Sequence, residues 1–468
     1  MLKQSDSRQD RGMRTPVPGT VLKEINWPGI TNGHGSSLLA VLYQLGQTQW
    51  WNEEEIQRMQ FAQLRIVLEH AYRTVPFYRE RFDNTGIELP SILDMEVWRK
   101  LPILSRRDLQ QQVLISNNIP RSHGKIYTTQ TSGSTGEPVK LSGTELNQMF
   151  WRIFTLRDHE WHKRDFAGKL ASIRATGEAF KPVSHPDWGP PVSLLYKSGT
   201  SASLTLTTDI SKQMEWLVQY EPDYLLSFPS NLLALMEYSR VHGVKLHNLK
   251  EVRTISETVN VRLRQLCQQE WGVPLTDVYS SQEVGYIGLQ CPDFPHLHVQ
   301  SENVLVEILD DDGQPCRPGQ TGRIIVSSLH NFATPLIRYE LRDRAEAGDC
   351  CPCGRGLPVI NRILGRERNM LSLPNGELRW PMTGYQQFEK ITNVIHQFQY
   401  VQHTVDEVEV RLVVSRPLTH EETVALIAHI QSSLGHPFNV RFTFLDKIPR
   451  SRNGKFEDFI SHVSATAS

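Results

Sequence analysis

The sequence predicts an α/β protein. A large layered α/β domain spans residues 36–365, with a β-rich part at about 300–365. A small α/β cap domain follows over 366–468, and a flexible leader, 1–35, precedes both. Three observations carry this. Apolar strand-like runs alternate with amphipathic helical runs between Gly124 and Ser328, the pattern of a partly parallel sheet covered by helices. Period-two alternation then takes over around a turn at Asp311-Asp312-Gly313. Past Gly365-Arg366 a new set of strands and a helix begins, enough for a unit of its own.

Taken in order, residues 1–33 are polar and carry no apolar core, so they are read as neither a signal nor a transit peptide. Residues 36–86 read as helical. Leu64, Val67, Leu68, Ala71 and Tyr72 recur at helical spacing, and Val75-Pro76 is expected to end the run. Strands are expected at 125–129, 169–173, 224–228 and 252–256, with helices at 211–220, 230–242 and 259–271. Val304, Val306 and Ile308 alternate, and Gly322 to Val326 returns as the partner strand. The acidic triplet at 310–312 is expected to be a solvated turn rather than a metal site. In the last unit Asn375-Gly376 marks a hairpin. Residues 407–414 alternate as a strand, 420–434 form a helix, and 440–445 form a further strand.

Lys and Arg total 50 against 51 Asp and Glu, so charge gives no case for nucleic acid or an anionic membrane. No apolar run approaches the ~20 residues that span a bilayer. Six cysteines in 468 residues do not make a disulfide framework, and a cytoplasmic location is expected.

The chemistry is concentrated in two separated segments. Thr131-Ser132-Gly133-Ser134-Thr135-Gly136-Glu137-Pro138 offers four hydroxyls, free N–H groups and glycines that let backbone approach a ligand. Such a nest suits a polyphosphate. It lacks the Gly-Lys-Ser/Thr ending of a Walker loop. Far downstream, Asn453-Gly454-Lys455 presents an ammonium on a tight turn.

Hydroxyl loop first and turn-borne lysine last resembles the adenylate-forming superfamily, in its phenylacetate–CoA ligase and CapK-like branch. The resemblance runs from about Leu64 to about Val463. It includes Glu69 to Tyr78, Leu101-Pro102-Ile103-Leu104-Ser105, the hydroxyl loop, Asp277-Val278-Tyr279-Ser280-Ser281-Gln282-Glu283, and Thr334 to Asp343. Cys351-Pro352-Cys353-Gly354-Arg355, Gly365-Arg366 and the Lys455 turn complete it.

That resemblance implies an ATP-dependent carboxylate ligase using Mg²⁺. It would join an aryl or other apolar acid to AMP and pass the acyl group to a thiol, CoA first among acceptors. An amine or a carrier protein is the alternative acceptor, and an inactive nucleotide-binding scaffold the alternative class. A monomer or homodimer is expected. Thr131, Ser132, Gly133, Ser134, Thr135 and Gly136 would hold the β- and γ-phosphates, and Glu283 the Mg²⁺. Asp343 would accept from the ribose hydroxyls, Tyr279 stack on adenine, and Arg366 contact ribose or phosphate. Lys455 would reach the α-phosphate and the attacking carboxylate. Glu257 matches a glutamate before the adenine site, although an acid at a helix start reads alike. Relatives carry Ser or Thr where this chain has Gln282, whose amide N–H can donate instead. The acidic pivot common after Gly-Arg is replaced by Glu367-Arg368-Asn369. Some relatives hold a structural zinc, which here implies Cys291, His298, Cys351 and Cys353, with His296 as alternate fourth ligand.

Overall fold

The computed structural model describes residues 17–85, 93–111, 114–130, 139–175, 181–366, 369–379, 381, 388, 391–450 and 456–463. The expected phosphate loop at 131–136 and Lys455 lie outside them.

The amino-terminal helices are Gly33–Thr48, Glu53–Thr74 and Pro76–Thr85. Within the expected leader, the Gly19 N–H donates to Leu195 O (2.7 Å) and Val21 N–H to Ile30 O (2.8 Å). Asn52 and Glu55 form a reciprocal capping box for the second helix, which buries Leu64, Val67, Leu68 and Ala71. Pro76 does not merely end that helix. It opens the next one, where its missing N–H is among those left without an intrahelical partner anyway.

Twelve strands make one continuous sheet. Ser201–Thr205, Leu170–Arg174, Tyr224–Ser227, Glu251–Thr254 and Leu275–Ser281 lie side by side in that order, all parallel. Helices Ile210–Tyr220 and Pro229–His242, and Val261–Leu266 with the π-turn Cys267–Trp271, pack on them through a core that includes Leu225, Leu232, Leu235 and Val252. After Ser281 the chain reverses. Gly285–Gln290, Leu297–Val299, Val359–Arg366, Tyr339–Ala347, Thr321–Ser328 and Val304–Leu309 then follow in antiparallel order. The acidic triplet is a turn: Asp310 Oδ1 accepts from Gln314 N–H (2.7 Å) and Asp311 pairs with Arg344.

A separate hairpin pairs Ile126–Gln130 with Lys140–Thr144, with Gln130 opposite Lys140.

The last unit has its own sheet, ordered Asn439–Phe444, Glu407–Val414, Ile395–Gln402, Phe459–Ser461. Helix His420–Leu434 covers it through Leu426 and Ile430, which meet Tyr400, Val410 and Leu412 in a core of their own. Among the described residues no helix is long and apolar enough to cross a membrane.

One buried ion network ties helix Glu145–Trp161 to the parallel strands. Arg164 Nη1 lies 2.7 Å from Asp158 Oδ2 and its Nη2 lies 2.6 Å from Glu251 Oε1, while Arg253 also reaches Asp158. Burial opposes ionisation of Asp158, yet Arg164 and Arg253 outweigh it and hold the carboxyl well below the usual range. Asp158→Ala strands two guanidiniums without their shared partner. It should cost about 3–5 kcal/mol in urea unfolding of the large domain. A loss under ~1 kcal/mol would mean that the network is solvated rather than buried.

Candidate functional site

The parallel strands all deliver their carboxyl ends to one edge, the place where open α/β sheets bind ligands. Tyr279 lies on the last of them, Leu275–Ser281. Its hydroxyl donates to Asp343 Oδ2 (2.7 Å). Asp343 belongs to Tyr339–Ala347, four strands away in the hydrogen-bonded order, so the antiparallel half must curl for the two to meet. Arg366 stands opposite Asp343 in the adjoining strand, with its Nε 3.6 Å from Oδ1. Burial and then the Asp343 carboxylate push the Tyr279 hydroxyl well above the ordinary phenol range. The structure thus brings Tyr279, Asp343 and Arg366 together.

Gln282 and Glu283 occupy the turn joining Leu275–Ser281 to Gly285–Gln290, with Gln282 exposed. Gly285 has φ +82°, and a Cβ there would meet the Trp151 ring at 3.3 Å. Glu283 faces Arg106 at 4.0 Å, both side chains being largely buried. Arg106 opens a short helix capped by Ser105.

Glu257 follows Ser256, a non-glycine residue held at φ +72°. Its Oε2 accepts from Ser230 N–H (2.9 Å), in the first turn of Pro229–His242. Its Oε1 accepts from Phe456 N–H (2.6 Å) in the last unit. Arg450 lies 3.6 Å from Oε1 and donates to Ser230 Oγ (2.6 Å). Burial raises the Glu257 pKa against the pull of these donors. Arg450 and Phe456 bracket residues 451–455. Sequence reasoning missed Arg106, Ser230 and Arg450. Arg106 directly follows the Leu104-Ser105 motif and Arg450 lies inside the basic tail, but only the fold supplies their acidic partners.

A second constellation joins the loop after Gly285–Gln290 to the loop after Tyr339–Ala347. One ligand atom each of Cys291, His296, His298 and Cys351 lies within 4.8 Å of all the others. Cys291 Sγ is 3.8 Å from Cys351 Sγ, His296 Nε2 is 3.0 Å from Cys351 Sγ, and His298 Nε2 is 3.4 Å from Cys353 Sγ. Tetrahedral zinc, with bonds of about 2.3 Å to sulfur and about 2.0–2.1 Å to nitrogen, sets S···S near ~3.8 Å and S···N near ~3.5 Å. The donor set fits such an ion. His298 Nδ1 meets Leu357 O at 3.3 Å, which favours the tautomer that leaves Nε2 free to bind. Both histidines reach the cysteines, so five residues compete for four positions. Next to them, Arg355 stacks between Trp50 (4.9 Å) and Trp161 (4.7 Å) and donates to Gln49 Oε1 (3.1 Å).

Several known proteins resemble this chain in fold or sequence. The chain aligns with 2-hydroxyisobutyryl-CoA ligase in the postadenylation state, in complex with R3-HIB-AMP. The TM-score is 0.69 at 17% identity, covering 89% of this chain and 91% of the other, which is a likeness of fold. The phenylacetate-coenzyme A ligase of Pseudomonas putida is 26% identical over 383 residues, 77% of this chain and 82% of that protein. The Escherichia coli (strain K12) phenylacetate-coenzyme A ligase is 24% identical over 430 residues, 85% and 93% respectively. Residues 383–462 match the CapK C-terminal domain family. The fold, a mixed sheet with a carboxy-terminal unit, is the one that 2-hydroxyisobutyryl-CoA ligase adopts. By sequence the likenesses to phenylacetate-coenzyme A ligases and to CapK, with the CapK C-terminal match, support that branch.

Proposed function

We propose that this chain is an AMP-forming acid–thiol ligase, joining a carboxylic acid to CoA at the expense of ATP, with an aryl or other apolar acid as substrate. One observation carries the reading furthest: Arg450 and Phe456, on either side of the Lys455 turn, dock on Glu257 at the strand-end edge that also holds Tyr279 and Asp343.

In the first half-reaction a carboxylate oxygen attacks the α-phosphorus of ATP and the bond to pyrophosphate breaks, leaving acyl-AMP. Negative charge grows on the phosphoryl oxygens, so positioning and fixed donors lower the barrier. Thr131, Ser132, Gly133, Ser134, Thr135 and Gly136 cradle the β- and γ-phosphates. Lys455 faces the α-phosphate. Asp343 takes the ribose hydroxyls with Arg366 alongside, and Tyr279 faces adenine. In the second half-reaction the CoA sulfur attacks the acyl carbonyl, AMP leaves, and the thiol proton passes to solvent.

Glu283 is the acid placed to hold Mg²⁺, an ion that binds through one or two carboxylates plus phosphates and neutralises developing charge. Gln282 offers an amide donor beside it. Cys291, His298, Cys351 and Cys353, with His296 as competing ligand, would hold a structural zinc. Four protein ligands would leave no open position for chemistry.

ATP–pyrophosphate exchange should proceed with at least one member of a panel of aryl, fatty and hydroxy acids, and mass spectrometry should then find the acyl-CoA. Exchange with no acid would reject the ligase; an acyl amide or acylated carrier protein instead of a thioester would reject CoA as acceptor. Lys455→Ala should lower exchange by about a hundred- to a thousandfold while urea unfolding stays unchanged. Wild-type exchange in that variant would remove Lys455 from the mechanism. Elemental analysis should find one zinc per chain, and a strongly substoichiometric content would reject the metal centre.

A further inference from the structure

Glu257 is placed oddly for a residue whose expected role is contact with adenine. Its two oxygens are engaged by two backbone N–H groups from different units of the protein. Oε2 takes the N–H of Ser230, in a helix whose own N-cap residue, Phe228, makes no side-chain cap bond. Oε1 takes the N–H of Phe456, the residue directly after Lys455. Arg450, six residues before Phe456, closes the arrangement by reaching Glu257 Oε1 and Ser230 Oγ. Both ends of the segment that carries Lys455 thus meet one carboxylate. Ser256, just before it, adopts the left-handed backbone region that L-residues avoid, a local strain that persists only where surroundings enforce it.

We infer that Glu257 is a positioning residue for adenylation, a two-sided clamp that ties Arg450 and Phe456, which flank Lys455 in the sequence, to helix Pro229–His242. This rests on the ligase reading above, in which Lys455 acts on the α-phosphate. A carboxylate suits the task because it accepts at both oxygens, whereas an amide offers one acceptor and one donor. Glu257→Gln therefore keeps size and polarity while setting an NH₂ against one of the two N–H groups. The guanidinium of Arg450 makes the clamp a three-way contact, so its loss should act through the same step.

The test compares wild type, Glu257→Gln and Arg450→Met in two assays. The first is ATP–pyrophosphate exchange with the panel acid that reacts best. Both variants should lose kcat by about a hundredfold, the scale of a small misplacement of a reacting group, with KM for ATP held within about twofold. Arg450→Met should still convert a preformed acyl adenylate and CoA to thioester at the wild-type rate, because that step does not need Lys455 at the α-phosphate. A raised KM for ATP with intact kcat in Glu257→Gln would overturn the inference in favour of adenine contact. So would parallel loss of both half-reactions in Arg450→Met, which signals general damage. The second assay needs no substrate: trypsin cleavage after Arg452 and Lys455, followed by mass spectrometry, should quicken several-fold in both variants. Unchanged cleavage overturns the clamp. Should wild type exchange with no acid, the ligase reading falls, while the cleavage rates still decide the clamp.

Discussion

The common direction of five adjacent strands is the constraint on which the site depends. Because Ser201–Thr205, Leu170–Arg174, Tyr224–Ser227, Glu251–Thr254 and Leu275–Ser281 are parallel, everything that follows each strand emerges on one edge. The pairing of Thr254 with Asp277 puts Glu257 and Tyr279 on neighbouring strand ends. Arg164, bridging Asp158 and Glu251, ties helix Glu145–Trp161 to the start of the strand that leads to Glu257. Asp343 can join only because the antiparallel half bends round to meet Tyr279.

Much of this was legible in the residues. Short apolar runs revealed the buried parallel strands, since Tyr224–Ser227 is enclosed on both faces. Asp-Gly and Asn-Gly marked the turns at Gly313 and Gly376, both with positive φ. Val75-Pro76 was harder: a proline that stops one helix can equally start another, and the sequence has no local signal that separates the two. The continuity of the twelve strands was hidden as well, because strand order depends on contacts remote in the chain. The same limit applies within the cysteine and histidine centre. His296 and His298 flank Leu297 and read alike, while their reach toward Cys351 and Cys353 follows from side-chain direction in the fold. The partners of Glu257 likewise lie 27 residues before it and 199 after it.

The carboxy-terminal unit completes a core without help from the large domain, through Phe388, Tyr400, Leu412, Leu426 and Phe459. The hydrogen bonds and ion pairs that join it to the large domain at Glu257, Ser230 and Glu237 are polar. Polar contacts of this kind exchange readily for water, unlike apolar surface.

The arginine sandwiched by Trp50 and Trp161, Arg355, sits two residues beyond Cys353, in the same loop as Cys351. Whatever shapes that loop is felt at once at Trp50, in the turn between the first two helices, and at Trp161, the last residue of helix Glu145–Trp161, through indole rings that fluoresce. The protein therefore carries its own optical gauge of the cysteine loop, one that needs no turnover.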